Sequence, residues 1–191
     1  MYKRQLLDID ASIRISYECK TKNNICTIVK HNNPCGASLN KSQSKSYLKA
    51  LAGDSISAYG GIISFNQKLT KQTAKLLIRN FYEVVTAPDF DEEALKLLKT
   101  KKNLRVLKVK KGIKKKEERT FFAGTLIQDV NSKISSVKSI NGINRLNKEK
   151  ISFFISVLKN IKSNAIALFN NDSLISQSGG QTSRVDALSL I

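Results

Sequence analysis

Lys30 and His31 are the neighbouring residues best suited to proton chemistry in this chain. They join a cation to the only histidine of the sequence, whose imidazole can bind and release a proton near neutral pH. The pair follows a β-rich run at 26–29 and precedes a segment rich in Asn, Pro and Gly. Ligands commonly bind where strands of an open α/β sheet end. A surface lysine beside a turn histidine would leave the same pattern, so the dipeptide alone supports either interpretation.

The residues around His31 exclude a zinc-dependent deaminase. Such enzymes carry H-x-E followed by P-C-x-x-C, in which the glutamate moves protons and the histidine and cysteines hold zinc. Pro34 and Cys35 fit this pattern, but Asn33 stands at the glutamate position and Ser38 at that of the second cysteine. We therefore predict no metal centre of this type.

Two glycine pairs and one arginine are candidate anion-binding elements. Gly60-Gly61 and Gly179-Gly180 could present backbone N–H groups to a phosphate or carboxylate. Arg184 lies in a polar segment, where its guanidinium could bind a phosphate with two hydrogen bonds. Neither pair fits a P-loop, and a lone glycine pair is usually a turn. Each feature on its own is more typical of structure than of binding.

The elements that would position these residues alternate between strands and helices. Apolar spacing predicts helices over 8–20, 41–51, 70–79, from 91, and over 148–162, with Thr70 as an N-cap. β-rich runs predict strands over 26–29, 62–65, 82–87, 104–109, 121–129, 133–138 and 163–169. Polar turns follow at 32–36 and 170–172, and another helix begins as the chain ends. This alternation predicts an α/β fold.

Positive charge is the most unusual property of the composition. The chain carries a net charge of +18 over 191 residues, which favours anionic partners such as nucleic acid, acidic lipid or phosphorylated metabolites. Residues 101–119 form a basic loop, with eight Lys and two Arg against two Glu and a net charge of +8. Heavy use of Lys, Asn and Ile throughout the sequence could equally reflect biased codon composition.

Cysteine usage and hydropathy bear on the location of the protein. The three cysteines, Cys19, Cys26 and Cys35, lack CxxC spacing, which fits reduced thiols. Charged residues interrupt the first ten positions, so no signal-peptide core follows Met1, and no apolar run approaches the roughly 18 residues of a membrane span. We expect a cytoplasmic protein without a membrane partner.

Six blocks of sequence, taken in order, resemble a known family. They are VKHNNPCGA (29–37), SAYGGIISFN (57–66), EVVTAP with EEAL (83–95), AGTLIQD (123–129), KSNAI (162–166) and GQTSRV (180–185). This succession resembles the transformylase domain of bifunctional purine biosynthesis proteins, from about residue 6 to the end. That family formylates aminoimidazole carboxamide ribonucleotide (AICAR) from 10-formyltetrahydrofolate. Six ordered blocks are far more specific than any single motif.

The resemblance implies a fold of two related cytidine-deaminase-like α/β subdomains. The first would cover residues 1–147, including the basic loop, and the second would be represented by its start at 148–191. The family builds its active site across a dimer interface, so a homodimer is implied. A structural potassium ion is also reported for the family, but nothing in this sequence assigns its ligands.

The resemblance also implies roles for individual residues. His31 would take a proton from the attacking amine, while Lys30 would stabilise charge or protonate the departing folate nitrogen. Asn164 would hold the substrate carboxamide or orient the histidine. The remaining residues would bind the ribonucleotide: Asn33, Tyr59, Gly60, Gly61, Glu83, Gln181 and, at the 5′-phosphate, Arg184.

Several segments of the family's sequence pattern are not found in this sequence. The family's R-Y-G-x-N-P-H-Q segment, its cyclohydrolase domain and its D-A-F-F-P-F-x-D-G and P-G-G-S-x-R-D blocks have no counterpart in these 191 residues. A domain represented only in part would expose strand edges and apolar surface. We therefore expect this polypeptide alone to be poorly stable and to transfer formyl groups weakly or not at all.

The alternative is a binding protein, either a small basic nucleic-acid module or a non-catalytic relic that still holds ribonucleotide. The net charge favours nucleic acid. Against it, the sequence has no Trp, no recognisable nucleic-acid motif and no aromatics interleaved with its lysine run as stacking platforms. We therefore expect no nucleic-acid partner.

Overall fold

The central strands are buried on both faces, so the sheet lies between two apolar clusters. The computed structural model describes residues 2–110, 116–131 and 147–191. Along β1, Cys26 and Ile28 belong to one apolar cluster, whereas Ile25 and Val29 belong to another. Because successive side chains of a strand point to opposite faces, apolar residues on both faces of β1 are what a sheet covered on both sides requires.

Six helices and nine strands lie in the described parts of the chain. The helices are α1 (Tyr2–Glu18), α2 (Gln43–Gly53), α3 (Lys71–Leu77), α4 (Glu92–Leu98), α5 (Lys148–Leu158) and α6 (Arg184–Ser189). The strands are β1 (Asn24–Lys30), β2 (Asn33–Asn40), β3 (Gly61–Phe65), β4 (Tyr82–Ala87), β5 (Arg105–Lys108), β6 (Lys116–Phe121), β7 (Gly124–Asp129), β8 (Ile166–Asn170) and β9 (Ser173–Ser178).

Seven strands form one mixed sheet in the order β5-β4-β3-β1-β2-β9-β8, and β6 and β7 form a separate two-stranded hairpin. β3, β4 and β5 are parallel, whereas β1 is antiparallel to β2 and β3, and β8 to β9. The α/β prediction is confirmed at this level. The cytidine-deaminase-like subdomain and the division at residue 147 stay predictions; β8 and β9 extend the same sheet as β1–β5.

Helices cover the two faces of the sheet. One cluster joins β1, β3 and β4 to α2, α3 and α4, with Tyr47, Phe65 and Leu98 among its fully buried side chains. The other joins β1, β2 and β9 to α1 and α5 through Ile15, Phe153 and neighbouring residues. No helix in the described parts of the chain is long and apolar enough to cross a membrane.

Several predicted boundaries are confirmed and others need correction. Strand β4 covers the predicted 82–87, and Thr70 caps α3 by accepting a hydrogen bond from the Thr73 N–H. Helix α1 begins at Tyr2 rather than residue 8, and α5 ends at Leu158. The predicted strand 121–129 is the end of one strand and the whole of the next, because a turn at 122–123 reverses the chain. The predicted strand 133–138 lies outside the described residues.

Candidate active site

A tight β-hairpin turn carries Lys30 and His31. Lys30 pairs with Asn33, and the two residues between them, His31 and Asn32, have φ of 53° and 63°. Two left-handed residues are what a two-residue hairpin turn of type I′ needs, and His and Asn tolerate this conformation better than most residues. The turn leaves the His31 side chain exposed to solvent.

The predicted turn over 32–36 is therefore too long. Residues 33–40 form β2, so the segment around Pro34 is a strand. A bulge accommodates it: Val29 pairs with Pro34 and Ile28 with Gly36, which leaves Cys35 as the extra residue. A bulge is one of the few places where a strand tolerates proline. Gly36 is required here because a Cβ at this position would lie 2.1 Å from the Ala50 carbonyl oxygen.

The Lys30 ammonium group joins the hairpin to the loop before β3. Its Nζ donates to the Tyr59 carbonyl over 2.8 Å, which brings the second sequence block beside the first. Gly60 adopts φ of 72° in this loop, a conformation that glycine reaches at no steric cost. The Gly60 N–H donates to the Phe81 carbonyl (2.9 Å) and the Gly61 N–H to the Ala58 carbonyl (3.0 Å). Both N–H groups are therefore bonded internally, which fits the turn that a lone glycine pair usually forms.

Two carboxylates from other elements approach the same turn. Asp8 of α1 accepts a hydrogen bond from the Asn32 N–H, and Glu83 of β4 accepts one from Gln5. Burial raises the pKa of Asp8 above its ordinary value, while the Asn32 N–H and the nearby His31 lower it in part. Sequence reasoning missed Gln5 and Asp8, because no local pattern links an N-terminal helix to a turn more than twenty residues away.

A cleft of about 490 Å³ opens on the other side of the hairpin. It lies between the Lys30–Asn33 turn, the end of α2 and strand β9, and its lining adds Cys35, Gly53, Asp54, Ser57 and residues 174–177. Hydrogen bonds from the Ser57 side chain and N–H lower the pKa of Asp54, as does the nearby Lys30. The Gln177 Oε1 is buried without a partner among the described residues. These polar groups were missed because they become neighbours only through the pairing of β2 with β9.

The other predicted site residues form a second group. The Asn164 N–H and its Nδ2 each donate to the Gln181 carbonyl over 3.1 Å, and Nδ2 also donates to the Thr182 carbonyl over 3.0 Å. The Asn164 side-chain carbonyl thus remains as the atom that can accept from a ligand. Arg184 begins α6 and is exposed. The Gly180 N–H donates to the Lys162 carbonyl, so it too is occupied.

Sheet topology brings both groups to one edge. β1 and β9 end there, and β2, β3, β4 and β8 begin there. The pairs that fix this arrangement are Lys30–Asn33, Val29–Ile62, Gly61–Tyr82 and Ile166–Ser178. No hydrogen bond or ion pair of the described residues joins Asn164, Gln181 or Arg184 to Lys30 or His31. This end of the sheet therefore offers two separate polar groups, and the cleft is lined by the first of them.

Comparison with known proteins accounts for the blocks that meet at this edge. A family profile described as AICARFT/IMPCHase bienzyme matches residues 3–191. The chain belongs to this family. Curated relatives are named bifunctional purine biosynthesis protein PurH. Those of Prochlorococcus marinus (strain MIT 9515) and Persephonella marina are 40% and 38% identical to it, over 95% and 98% of this chain. The relative from Clostridium botulinum (strain Loch Maree) is 39% identical over 92%.

This AICARFT/IMPCHase chain spans about 38% of the length of the first two relatives. Among its described residues, no group of three or more His, Cys, Asp or Glu side chains could hold a metal ion. The polar groups at this end of the sheet include one imidazole, the Lys30 ammonium, the Arg184 guanidinium, isolated carboxylates and amides. Such a set can bind and transfer protons and can hold a polar ligand through hydrogen bonds.

Proposed function

We propose that this chain carries the Lys-His part of a site that transfers a formyl group from 10-formyltetrahydrofolate to the 5-amino group of AICAR, in purine synthesis. The observation that carries this proposal is the Lys30–Tyr59 hydrogen bond. It joins two of the six sequence blocks at the mouth of a cleft large enough for a ligand. Membership of the AICARFT/IMPCHase family supports the same conclusion.

The reaction depends mainly on general acid–base catalysis, in which protons are moved to and from the reacting atoms. The amine nitrogen forms a bond to the formyl carbon, and the bond from that carbon to the folate nitrogen breaks. His31 is exposed at the turn and takes the proton that the amine loses. Lys30 neutralises the developing negative charge or delivers a proton to the folate nitrogen. General acid–base catalysis of this kind typically contributes about 10²–10⁴-fold.

The second group of residues suits the ribonucleotide. Arg184 is an exposed guanidinium and suits the 5′-phosphate, since its planar fork binds phosphate oxygens in pairs. The free carbonyl of Asn164 suits the N–H groups of the carboxamide, with Gln181 beside it. Glu83 suits the ribose hydroxyls. Because the Gly60 N–H is bonded internally, a backbone contact from this glycine would use its carbonyl.

Three further parts of the proposal concern the assembled enzyme. In a homodimer, the partner subunit would supply the other half of each site. Asn33, Tyr59 and Gly61 of this subunit would contact the ligand in the half described here. No step is assigned to potassium, because no described residue identifies a site for it. Weak transfer by this polypeptide alone and a cytoplasmic location stay predictions.

Ribonucleotide binding tests the proposal most directly. We expect the 191-residue chain to bind AICAR in titration calorimetry, and Lys30→Ala and Arg184→Ala to weaken binding about tenfold or more, because each removes a charged hydrogen-bond donor. Lys22→Ala, an exposed lysine in a turn away from the cleft, is the matched control. Unchanged affinity in both site variants would refute the proposal.

Nucleic-acid binding is the second candidate, favoured by the β6–β7 hairpin. Phe121 and Phe122 are exposed there beside Arg119, and exposed aromatics near cations can stack on bases. A salt-sensitive shift of an RNA probe, abolished by neutralising Lys114, Lys115 and Lys116, would support this function. If the chain binds AICAR but neither binds RNA nor transfers a formyl group, it would be a relic that holds ribonucleotide without catalysis.

A further inference from the structure

A further cleft of about 400 Å³ opens at the same end of the sheet as the Lys-His turn. It lies between the turns that follow α3 and α4, and we call it the α3–α4 cleft. Tyr59 belongs to its lining, and the Tyr59 carbonyl accepts the hydrogen bond from the Lys30 ammonium group over 2.8 Å. This bond therefore joins a residue of the candidate active site to a residue of the α3–α4 cleft.

The lining of the α3–α4 cleft is positively charged. Arg79 follows α3, Lys101 and Lys102 follow α4, and all three residues are exposed. No Asp or Glu is among the described residues that line the cleft, and no hydrogen bond or ion pair within the described parts of the chain engages these three side chains. By contrast, Lys71 and Lys96 of the same two helices both pair with one glutamate of α4.

Helix dipoles account for only part of this charge. The C-terminal ends of α3 and α4 each carry about half a negative charge, so they offset about one of the three cations in the lining. An excess of about two positive charges is left for a ligand. Backbone bonds fix the turn that carries two of these cations, because the Lys101 N–H donates to the Leu98 carbonyl and the Leu104 N–H to the Lys101 carbonyl, each over 3.1 Å.

Two exposed aromatic rings form another part of the lining. The side chains of Tyr59 and Phe81 are 66% and 36% exposed, and their ring centroids lie 5.2 Å apart. Neighbouring exposed rings offer a surface on which a further aromatic ring can pack. Tyr59 thus contacts Lys30 through its backbone and Phe81 through its ring, and Phe81 shares the cleft with the cations.

We propose that the α3–α4 cleft holds the p-aminobenzoyl ring and the glutamate carboxylates of the 10-formyltetrahydrofolate cosubstrate. This assignment rests on the proposed function. In the cosubstrate, the nitrogen that carries the formyl group is bonded to the benzoyl ring, and the glutamate is bonded to the opposite side of that ring. A formyl group at Lys30 and His31 therefore places the ring near Tyr59 and the carboxylates near the cations, which bind them through charge-assisted hydrogen bonds.

Two small molecules test the cleft without a pterin ring or a formyl group. They are p-aminobenzoyl-glutamate and p-aminobenzoyl-triglutamate, which share the ring and differ in their number of carboxylates. We expect the 191-residue chain to bind the triglutamate about two- to fivefold more tightly in titration calorimetry at low ionic strength, the range for exposed ion pairs. Added salt should reduce this preference, because it screens exposed charges.

The double variant Lys101→Ala with Lys102→Ala should lose the preference for the triglutamate. Its matched control is Lys20→Ala with Lys22→Ala, which removes the same charge from two exposed lysines before β1, at the end of the sheet opposite Lys30. The control should keep the preference. Loss of the preference in both double variants would show an effect of net charge alone and would overturn the proposal, as would a wild-type chain without any preference.

Tyr59→Ala tests the position of the ring. It should weaken the binding of both molecules about two- to tenfold and to the same extent, because it removes an aromatic contact and no charge. The bond to Lys30 is kept, since its acceptor is a backbone carbonyl. Unchanged affinity for both molecules would overturn the assignment of the benzoyl ring to this cleft.

AICAR separates this proposal from the proposed function. Displacement of either benzoyl compound by AICAR would assign the α3–α4 cleft to the ribonucleotide and overturn the proposal. A chain that binds AICAR but shows no preference for the triglutamate would also overturn it, and the proposed function would stand. A preference for the triglutamate without AICAR binding would refute the proposed function and leave the cleft as a site for aromatic carboxylates.

Discussion

At the scale of single residues, the chemistry of the candidate site depends on which groups are held in an unreactive state. Cys35 lines the cleft, yet burial, assisted by the negative charge of Asp54, raises the pKa of its thiol to about 12. Burial also raises the pKa of Cys19 and, strongly, of Cys26. The nucleophilic form of a cysteine is the thiolate. His31 and Lys30, rather than a thiol, are thus the groups available for reaction.

This leads to a prediction about thiol reactivity. At about pH 8 the folded chain should react slowly with Ellman's reagent, because a thiol whose pKa lies several units higher is almost entirely protonated. Adding guanidinium chloride should release three rapidly reacting thiols, Cys19, Cys26 and Cys35. One thiol that reacts rapidly in the folded chain would contradict the environment described for Cys35.

At the scale of elements, the hairpin that carries the turn is held against α2 by a close backbone contact. A Cβ at Gly36 would lie 2.1 Å from the Ala50 carbonyl oxygen, whereas one at Gly61 would meet its nearest atom, the Ala58 carbonyl oxygen, at 3.1 Å. Backbone atoms cannot rotate away as a side chain can. The distance between β2 and α2 therefore depends on having no side chain at residue 36.

We expect Gly36→Ala to lower the free energy of unfolding by about 2–3 kcal/mol or more, and Gly61→Ala by about 1 kcal/mol or less, since overpacking costs rise with the displacement required. Urea denaturation followed by circular dichroism measures both. The Gly61 variant is the matched control, because it places the same methyl group in the same sheet. Equal losses would show that β2 and α2 are less closely packed than described.

At the scale of the whole molecule, the β8–β9 hairpin joins the rest of the sheet through few backbone pairings. β9 pairs with β2 at Ser38–Ser173, and the Leu39 N–H donates to the Asp172 carbonyl over 2.8 Å. The Asp172 carboxylate accepts from Lys49 (2.7 Å) and from Asn40 (2.9 Å). Asp172 thus connects the β8–β9 turn to both β2 and α2, at the end of the sheet opposite the candidate site.

Asp172→Ala should therefore weaken this connection by about 1–3 kcal/mol, the usual range for hydrogen bonds to a charged group, because the Asp172 side chain is only 15% exposed. Hydrogen exchange should accelerate in β8 and β9 more than in β1 and β3. Asp89→Ala removes an exposed ion pair with Lys108 and is the control, since such pairs contribute little. Uniform acceleration throughout the sheet would indicate that β8–β9 unfolds together with the remainder.

The sequence by itself determined the local elements and the family. Apolar periodicity and N-cap chemistry are local properties, so the helix after Thr70 and the strand 82–87 were predicted where they lie. The Lys30–His31 pair and the order of the six blocks also needed no coordinates. The turn around Pro34 was misplaced because a bulge depends on the partner strand.

The tertiary structure alone decided which distant residues surround the pair. Tyr59 reaches Lys30, Asp8 reaches the turn at Asn32, and Gln177 reaches the cleft only after β3, α1 and β9 have packed against β1 and β2. Their separations in sequence carry no local signal, because backbone pairing and burial, rather than periodicity, bring them together. The same packing bonds the Gly60 N–H to the Phe81 carbonyl, which no glycine pattern reveals.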